Sequence, residues 1–186
     1  LVPRNAGGNL GAGPPGGQVD NDGRFMFSGV LPGSYRIFFT GAPRPFGWSM
    51  KSAIALGVDV LDTPIETKPG MSTIEWVVTY TDRETTIEGA LQDVTGRPAA
   101  DYFIVLFSTE RAKWGARTRL VQSTRPASDG AYSFRVPAGE YYVAALTDLE
   151  PGDTNNPTFL EQLIPNAVRV RVADAEKKKQ DFRIAG

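Results

Sequence analysis

One stretch of this chain is used twice, and it constrains the fold more than any other feature. Asp22-Gly23-Arg24-Phe25-Met26-Phe27, followed by Pro32-Gly33-Ser34-Tyr35, returns as Asp129-Gly130-Ala131-Tyr132-Ser133-Phe134, followed by Pro137-Ala138-Gly139-Glu140-Tyr141. Each copy predicts a tight turn at Asp-Gly, a short strand with aromatics on alternate positions, a Pro/Gly turn and a strand opened by tyrosine. The pattern reads as a β-meander. A chain of 186 residues can hold one large domain or two small ones. The duplication selects two, over 1–83 and 84–186.

Composition supports an all-β reading, because Gly 20 and Pro 14 supply many turns around an ordinary hydrophobic content of 41%. A net charge of -1, with no local basic stripe, gives no electrostatic reason to expect nucleic acid or an anionic membrane as a partner. No apolar run approaches the ~18 residues of a membrane span, so no membrane insertion is expected.

The chain has no histidine and no cysteine. That removes Ser–His and Cys–His nucleophiles and zinc sites built on those ligands. Close carboxylates occur at Asp20/Asp22, Asp59/Asp62 and Asp148/Glu150, each beside turn residues where Asp bonds the local backbone. Asp20-Asn21-Asp22-Gly23 looks like the opening of a calcium loop, but the bidentate glutamate is missing at the required spacing. No catalytic residue, metal or cofactor is expected.

Along the chain, 74–80 alternates as a half-buried strand with Trp76 in the core, and 102–107 is apolar enough for a central strand. Asn156-Pro157 reads as the cap and first position of a short helix over 157–163, stopped before Pro165. Lys177 to Lys179 reads as a charged turn, and the second domain should hold about seven strands, as a sandwich does. Residues 5–18 are glycine-rich and low in complexity. A contact is expected to hold this segment, which makes Leu1, Val2, Pro3, Asn5, Leu10, Pro14 and Pro15 candidates for an assembly interface. Leu1 to Arg4 looks like a protease tag site, yet such a site is cut after its arginine, so these residues read as native.

The repeated Asp-Gly-x-aromatic-x-Phe and Pro-Gly-x-Tyr pattern resembles the carboxypeptidase regulatory-like domains of the transthyretin (prealbumin-like) class. The stretches Trp48 to Ala53 and Asp59 to Pro64 are similar to what such domains carry in secreted bacterial proteins. The resemblance implies two tandem Ig-like β-sandwiches and an extracellular setting. Its collagen-adhesin B-type relatives form Lys–Asn or Lys–Asp crosslinks; 85–94 contains no lysine, so none is expected here.

Overlaying the copies puts Leu1 to Arg4 near Ser108 to Arg111, within a few residues of slack, so the first domain has no counterpart of 85–104. It lacks a first strand and most of a second. An open edge beside an uncovered apolar face invites another chain. The expected protein is therefore a non-enzymatic structural subunit that assembles head to tail into a surface filament. The donor of the missing strands is a neighbouring copy or residues upstream of Leu1. The alternative is a polysaccharide-binding accessory module, with Phe46, Trp48 and Trp114 in loops as stacking rings.

Overall fold

The computed structural model describes residues 2–3, 16–37, 47–71, 73–115 and 118–184. Strands dominate, with one short α-helix, and the chain divides into compact units Leu1–Thr81 and Asp82–Gly186.

The second unit is two sheets and a helix. Its first sheet is built on β7 (Thr86–Gln92), flanked antiparallel by β10 (Ala131–Arg135) and parallel by β13 (Lys177–Lys179) and β14 (Phe182–Arg183). The second has the order β12 (Val168–Val172), β11 (Gly139–Leu146), β8 (Phe103–Ser108), β9 (Val121–Thr124). Ile87, Leu91, Ile104, Leu106, Tyr141, Val143, Val170 and Val172 close the core between them. Strand β8 is buried on both faces, because Val105 and Phe107 on its other side meet Leu160 of helix α1 (Pro157–Leu163). The helix starts as the sequence indicates, with Asn156 Oδ1 accepting the Thr158 N–H at 3.0 Å and Pro157 in the first turn.

The repeated motif is not a meander. β10 and β11 lie in opposite sheets, and the turn between them carries the chain across the core. Tyr141 pins that crossing: its hydroxyl donates to the Pro137 carbonyl at 2.7 Å, and its ring lies over Gly139, where a Cβ would meet it at 3.4 Å. Pro137 has no N–H to give a hairpin ladder. The first copy has the same corner, with Tyr35 donating to the Leu31 carbonyl at 3.0 Å and its ring over Gly33 at 3.3 Å. Hydroxyl-to-backbone corners of this kind are a known device of sandwich folds. A Tyr141→Phe chain should lose about 1–2 kcal/mol in urea denaturation through the bond and the carbonyl left unpaired; an unchanged midpoint would show that the corner is held otherwise.

Lys177–Lys179 is also a strand, not a turn. Its backbone pairs with Thr86–Glu88, and a hydrogen-bonded ladder places no demand on the side chains. Lysines on an outer strand blunt the edge against stray pairing. With β13 and β14 counted separately, the described residues of the second unit hold eight strands, against the expected count of about seven.

In the first unit, β2 (Gly33–Arg36) pairs with β1 (Val2–Pro3) on one side and β5 (Ile65–Thr67) on the other. The registers match the second unit: Tyr35 faces Ile65 and Pro3 as Tyr141 faces Val170 and Ser108. So β1, β2 and β5 stand for β8, β11 and β12, and Pro3 aligns with Ser108. The opposing sheet differs. It has the order β4 (Val58–Asp59), β3 (Ser49–Ala55), β6 (Trp76–Thr81), entirely antiparallel, with no strand in the role of β7 among the described residues. The core is correspondingly thin: Tyr35, Ala53, Ala55, Val60, Leu61 and Ile65 are its buried members, two of them alanines.

Candidate functional site

The turn that opens the repeat has the same two backbone hydrogen bonds in both copies. In the second copy the Ala127 N–H donates to the Ala131 carbonyl and the Gly130 N–H to the Ala127 carbonyl, both at 2.8 Å. In the first, Asp20 N–H donates to the Arg24 carbonyl at 2.9 Å and Gly23 N–H to the Asp20 carbonyl at 3.1 Å. Gly130 and Gly23 share φ of +83° and +78°, the left-handed region that favours glycine.

Beyond the turn the copies part. In the second, Tyr132 and Phe134 are 5% and 2% exposed, because β7 runs beside them. The Leu91 N–H donates to the Gly130 carbonyl at 2.9 Å, and a Cβ on Gly130 would sit 2.6 Å from the Leu91 oxygen. Tyr132 donates its hydroxyl to the Gln180 carbonyl, and its burial pushes the phenol well above its ordinary value. In the first copy, Phe25 and Phe27 are only half-buried, and nothing stands within 4 Å of where a Cβ on Gly23 would be. Residues 25–27 belong to no strand and make no backbone hydrogen bond to another described residue. The strand expected at 24–27 is thus extended chain without its ladder partner.

Where β7 would lie, there is a cleft of about 750 Å³ lined by Arg24 to Phe27, Val30, Ile65, Met71, Ile74, Trp76 and Val77. Its walls are the unpaired segment on one side and the start of β6 on the other. Trp76 lines it, half-buried, with its ring edge-to-face on Phe27 at 6.4 Å between centroids. Phe27 meets Phe25 in the same way at 5.6 Å, whereas Tyr132 and Phe134 are tilted to each other at 5.8 Å.

Apolar exposure is concentrated in the first unit. Among the described residues, every large apolar side chain recorded as exposed except Val94 lies in the first unit. Met26 and Val77, at 79% and 64%, stand on the cleft, and Ile54 pairs with Val77 across β3 and β6. Monomeric proteins seldom leave such side chains grouped in water. Sequence reading passed over Met26, Met71 and Val77; an apolar Val77 between Glu75 and Thr79, on the solvent side of an alternating strand, is the signal that was there.

The other candidates resolve as follows. Leu1, Asn5, Leu10, Pro14, Pro15 and Phe46 lie outside the described residues, and Val2 and Pro3 pair with Arg36 and Tyr35 along β2. Trp48 is half-buried just before β3. Trp114 is committed to its own unit: its indole N–H donates to the Ser108 carbonyl at 2.6 Å and its ring stands edge-on to Phe107 at 5.4 Å. The paired carboxylates serve turns, as Asp20 Oδ1 accepts the Asp22 and Arg24 N–H groups at 2.9 and 2.8 Å, and Asp59 Oδ1 those of Ala53 and Leu61 at 3.0 and 3.1 Å. No group of three metal-ligating side chains occurs among the described residues, and no helix there is long and apolar enough to cross a membrane.

No protein-family model matches the chain, and no curated protein sequence matches it. Solved structures with partial likeness include the streptococcal ancillary pilin, at 13% identity and a TM-score of 0.41 over 87% of this chain and 47% of that one. BcpA, the major pilin subunit of Bacillus cereus, gives 15% and 0.39 over 60% of this chain and 33% of its own. The dioxygenase domain of a dioxygenase carbohydrate-binding protein fusion from Streptomyces sp. SirexAA-E gives 14% and 0.35, over 55% and 79%. This chain therefore spans a third to a half of the two pilin chains. Scores and identities this low pass neither a ligand nor a mode of assembly to it.

Proposed function

We propose that the chain is a non-enzymatic, extracellular structural protein: one subunit of a surface fibre that grows head to tail as a neighbouring copy covers the open strand position of the first unit. The observation that carries this reading is the apolar cleft beside the unladdered residues 24–27, in the place that β7 fills in the second unit. Unpaired backbone next to exposed apolar side chains recruits both from another chain. The contact is heterologous, because the equivalent position of the second unit is taken and the cleft must meet a different surface of its neighbour. Heterologous contacts that do not close into a ring propagate. An extracellular setting follows the motif's resemblance to domains of secreted bacterial proteins. A polysaccharide site has less support, since Trp114 spends its N–H on Ser108 and packs its ring against Phe107 inside its own unit.

Sedimentation velocity over a concentration series, with negative-stain microscopy, tests the reading. Wild-type chains should form linear assemblies that lengthen with concentration. A Met26→Lys/Val77→Lys chain should need at least about tenfold more protein, as two charges must be desolvated at the contact. A monodisperse monomer throughout, or assembly indifferent to the pair, would overturn it.

A further inference from the structure

We infer that the cleft is a receptor for one extended peptide strand, running antiparallel to residues 23–27, with a readable sequence requirement: apolar opposite Phe27 and, four residues further along the strand, apolar opposite Gly23. This deepens the fibre reading by giving the chemistry of what enters the cleft, and rests on that reading only for the donor being a neighbouring copy.

The requirement comes from the second unit, which holds the same site occupied. There Phe134 faces Ile87 and Tyr132 faces Gly89, and Leu91 follows at the level of Gly130. Ile87, Gly89 and Leu91 fall on one face of β7, as alternate residues of a strand do. Ile87 and Leu91 are both 0% exposed. Phe27, Phe25 and Gly23 occupy the positions of Phe134, Tyr132 and Gly130, after turns with the same hydrogen bonds. An incoming strand thus meets two aromatic rings and a residue without a side chain. Gly89 is small because the Gln180 backbone of the neighbouring strand segment crosses over it, not because of the facing ring, so the middle position carries no size requirement from Phe25; the bare Gly23 lets the strand's backbone come close enough for its N–H to reach the Gly23 carbonyl. The intervening residues face away from the core and are free to be polar, as Glu88 is.

A small apolar ligand would satisfy the rings but leave the backbone of residues 25–27 unpaired. A flat sheet face would cover Met26 and Val77 but not enter between the walls. A strand does both. Its donor need not resemble β7 beyond these two apolar positions.

The experiment uses the full chain and a synthetic peptide of residues 85–93, Thr-Thr-Ile-Glu-Gly-Ala-Leu-Gln-Asp. Hydrogen exchange by mass spectrometry should show uptake over residues 20–30 slowed at least about tenfold at saturating peptide, since ladder amides exchange only on opening. A peptide carrying Ile87→Asp and Leu91→Asp should give no protection, and a Gly23→Ala chain should lose the response to the original peptide. A Cβ on Gly23 meets nothing within 4 Å in the free chain, but the φ of +78° strains it; should that chain unfold, the peptide substitution decides alone. Absent protection, or protection that survives the two aspartates, overturns the inference. The two readings fail separately: a chain that binds peptide but stays monomeric loses the fibre and keeps the receptor. A chain that polymerises while ignoring the peptide keeps the fibre and has its cleft covered by a sheet face instead.

Discussion

A Gly89→Ala chain should lose about 3 kcal/mol or more from its second unit, equivalent to a fall of roughly 12 °C or more in Tm. The Cβ would stand 2.0 Å from the Gln180 oxygen and 2.5 Å from its carbonyl carbon, both backbone atoms. The Gln180 segment is not free to retreat. Its N–H donates to the Glu88 carbonyl at 2.8 Å, its oxygen takes the Tyr132 hydroxyl, and Asp181 Oδ1 accepts the Ala90 N–H at 2.8 Å. That last bond, with Lys179 beside it, holds the Asp181 carboxyl below its ordinary range. Relief requires peeling β13 and β14 off β7. Calorimetry of the full chain, following the transition of the second unit, is the measurement; a loss below about 1 kcal/mol would mean that the segment yields far more easily than its bonds imply.

The two units should separate cleanly when the chain is divided. Residues 82–186 should fold alone, monomeric and with a cooperative thermal transition, because both sheets are complete and α1 covers the outer face of one of them. Residues 1–81 should show no cooperative transition, or should aggregate. Each large apolar side chain left in water forfeits about 1.5–3 kcal/mol, and several such losses consume most of the ~5–15 kcal/mol a domain has. Met26, Val77, Leu56 and Leu31 are each more than 60% exposed, over a core built partly on alanine. Circular dichroism melts and light scattering on both fragments check this; a cooperative, monomeric 1–81 would remove the energetic ground for calling the first unit incomplete.

How much of this was legible depends on how local the determinants are. The corner tyrosines, the Asp-Gly turns and the Asn156-Pro157 cap depend on bonds within a few residues, and the sequence states them directly. The missing partner of the first copy was visible too, because a repeat can be compared with itself. What could not be read was pairing. Alternating aromatics look the same whether two strands are neighbours or face each other across a core, so β10 and β11 passed for a hairpin. Three lysines in a row carry no period-2 signal, although a parallel ladder with β7 needs only their backbone. The cleft escaped for the same reason: Met71, Ile74 and Trp76 are brought to residues 24–27 by the return of the chain.

The helix over the outer face of β8 has a consequence for how the chain reaches its fold. Phe-Ile-Val-Leu-Phe at 103–107 is an uncharged, β-prone run without proline, the composition that stacks readily between chains. Two paired sheets hide only one side of it, Ile104 and Leu106 facing the core. Until Leu160 and Phe159 arrive, Val105 and Phe107 present a sticky stripe to every other unfinished molecule. Docking of a seven-residue helix from more than fifty residues downstream is therefore the step that ends exposure to misassembly. Release from the ribosome before residue 163 would leave that hazard open, so α1 acts as a safety catch on folding as well as a layer of the folded unit.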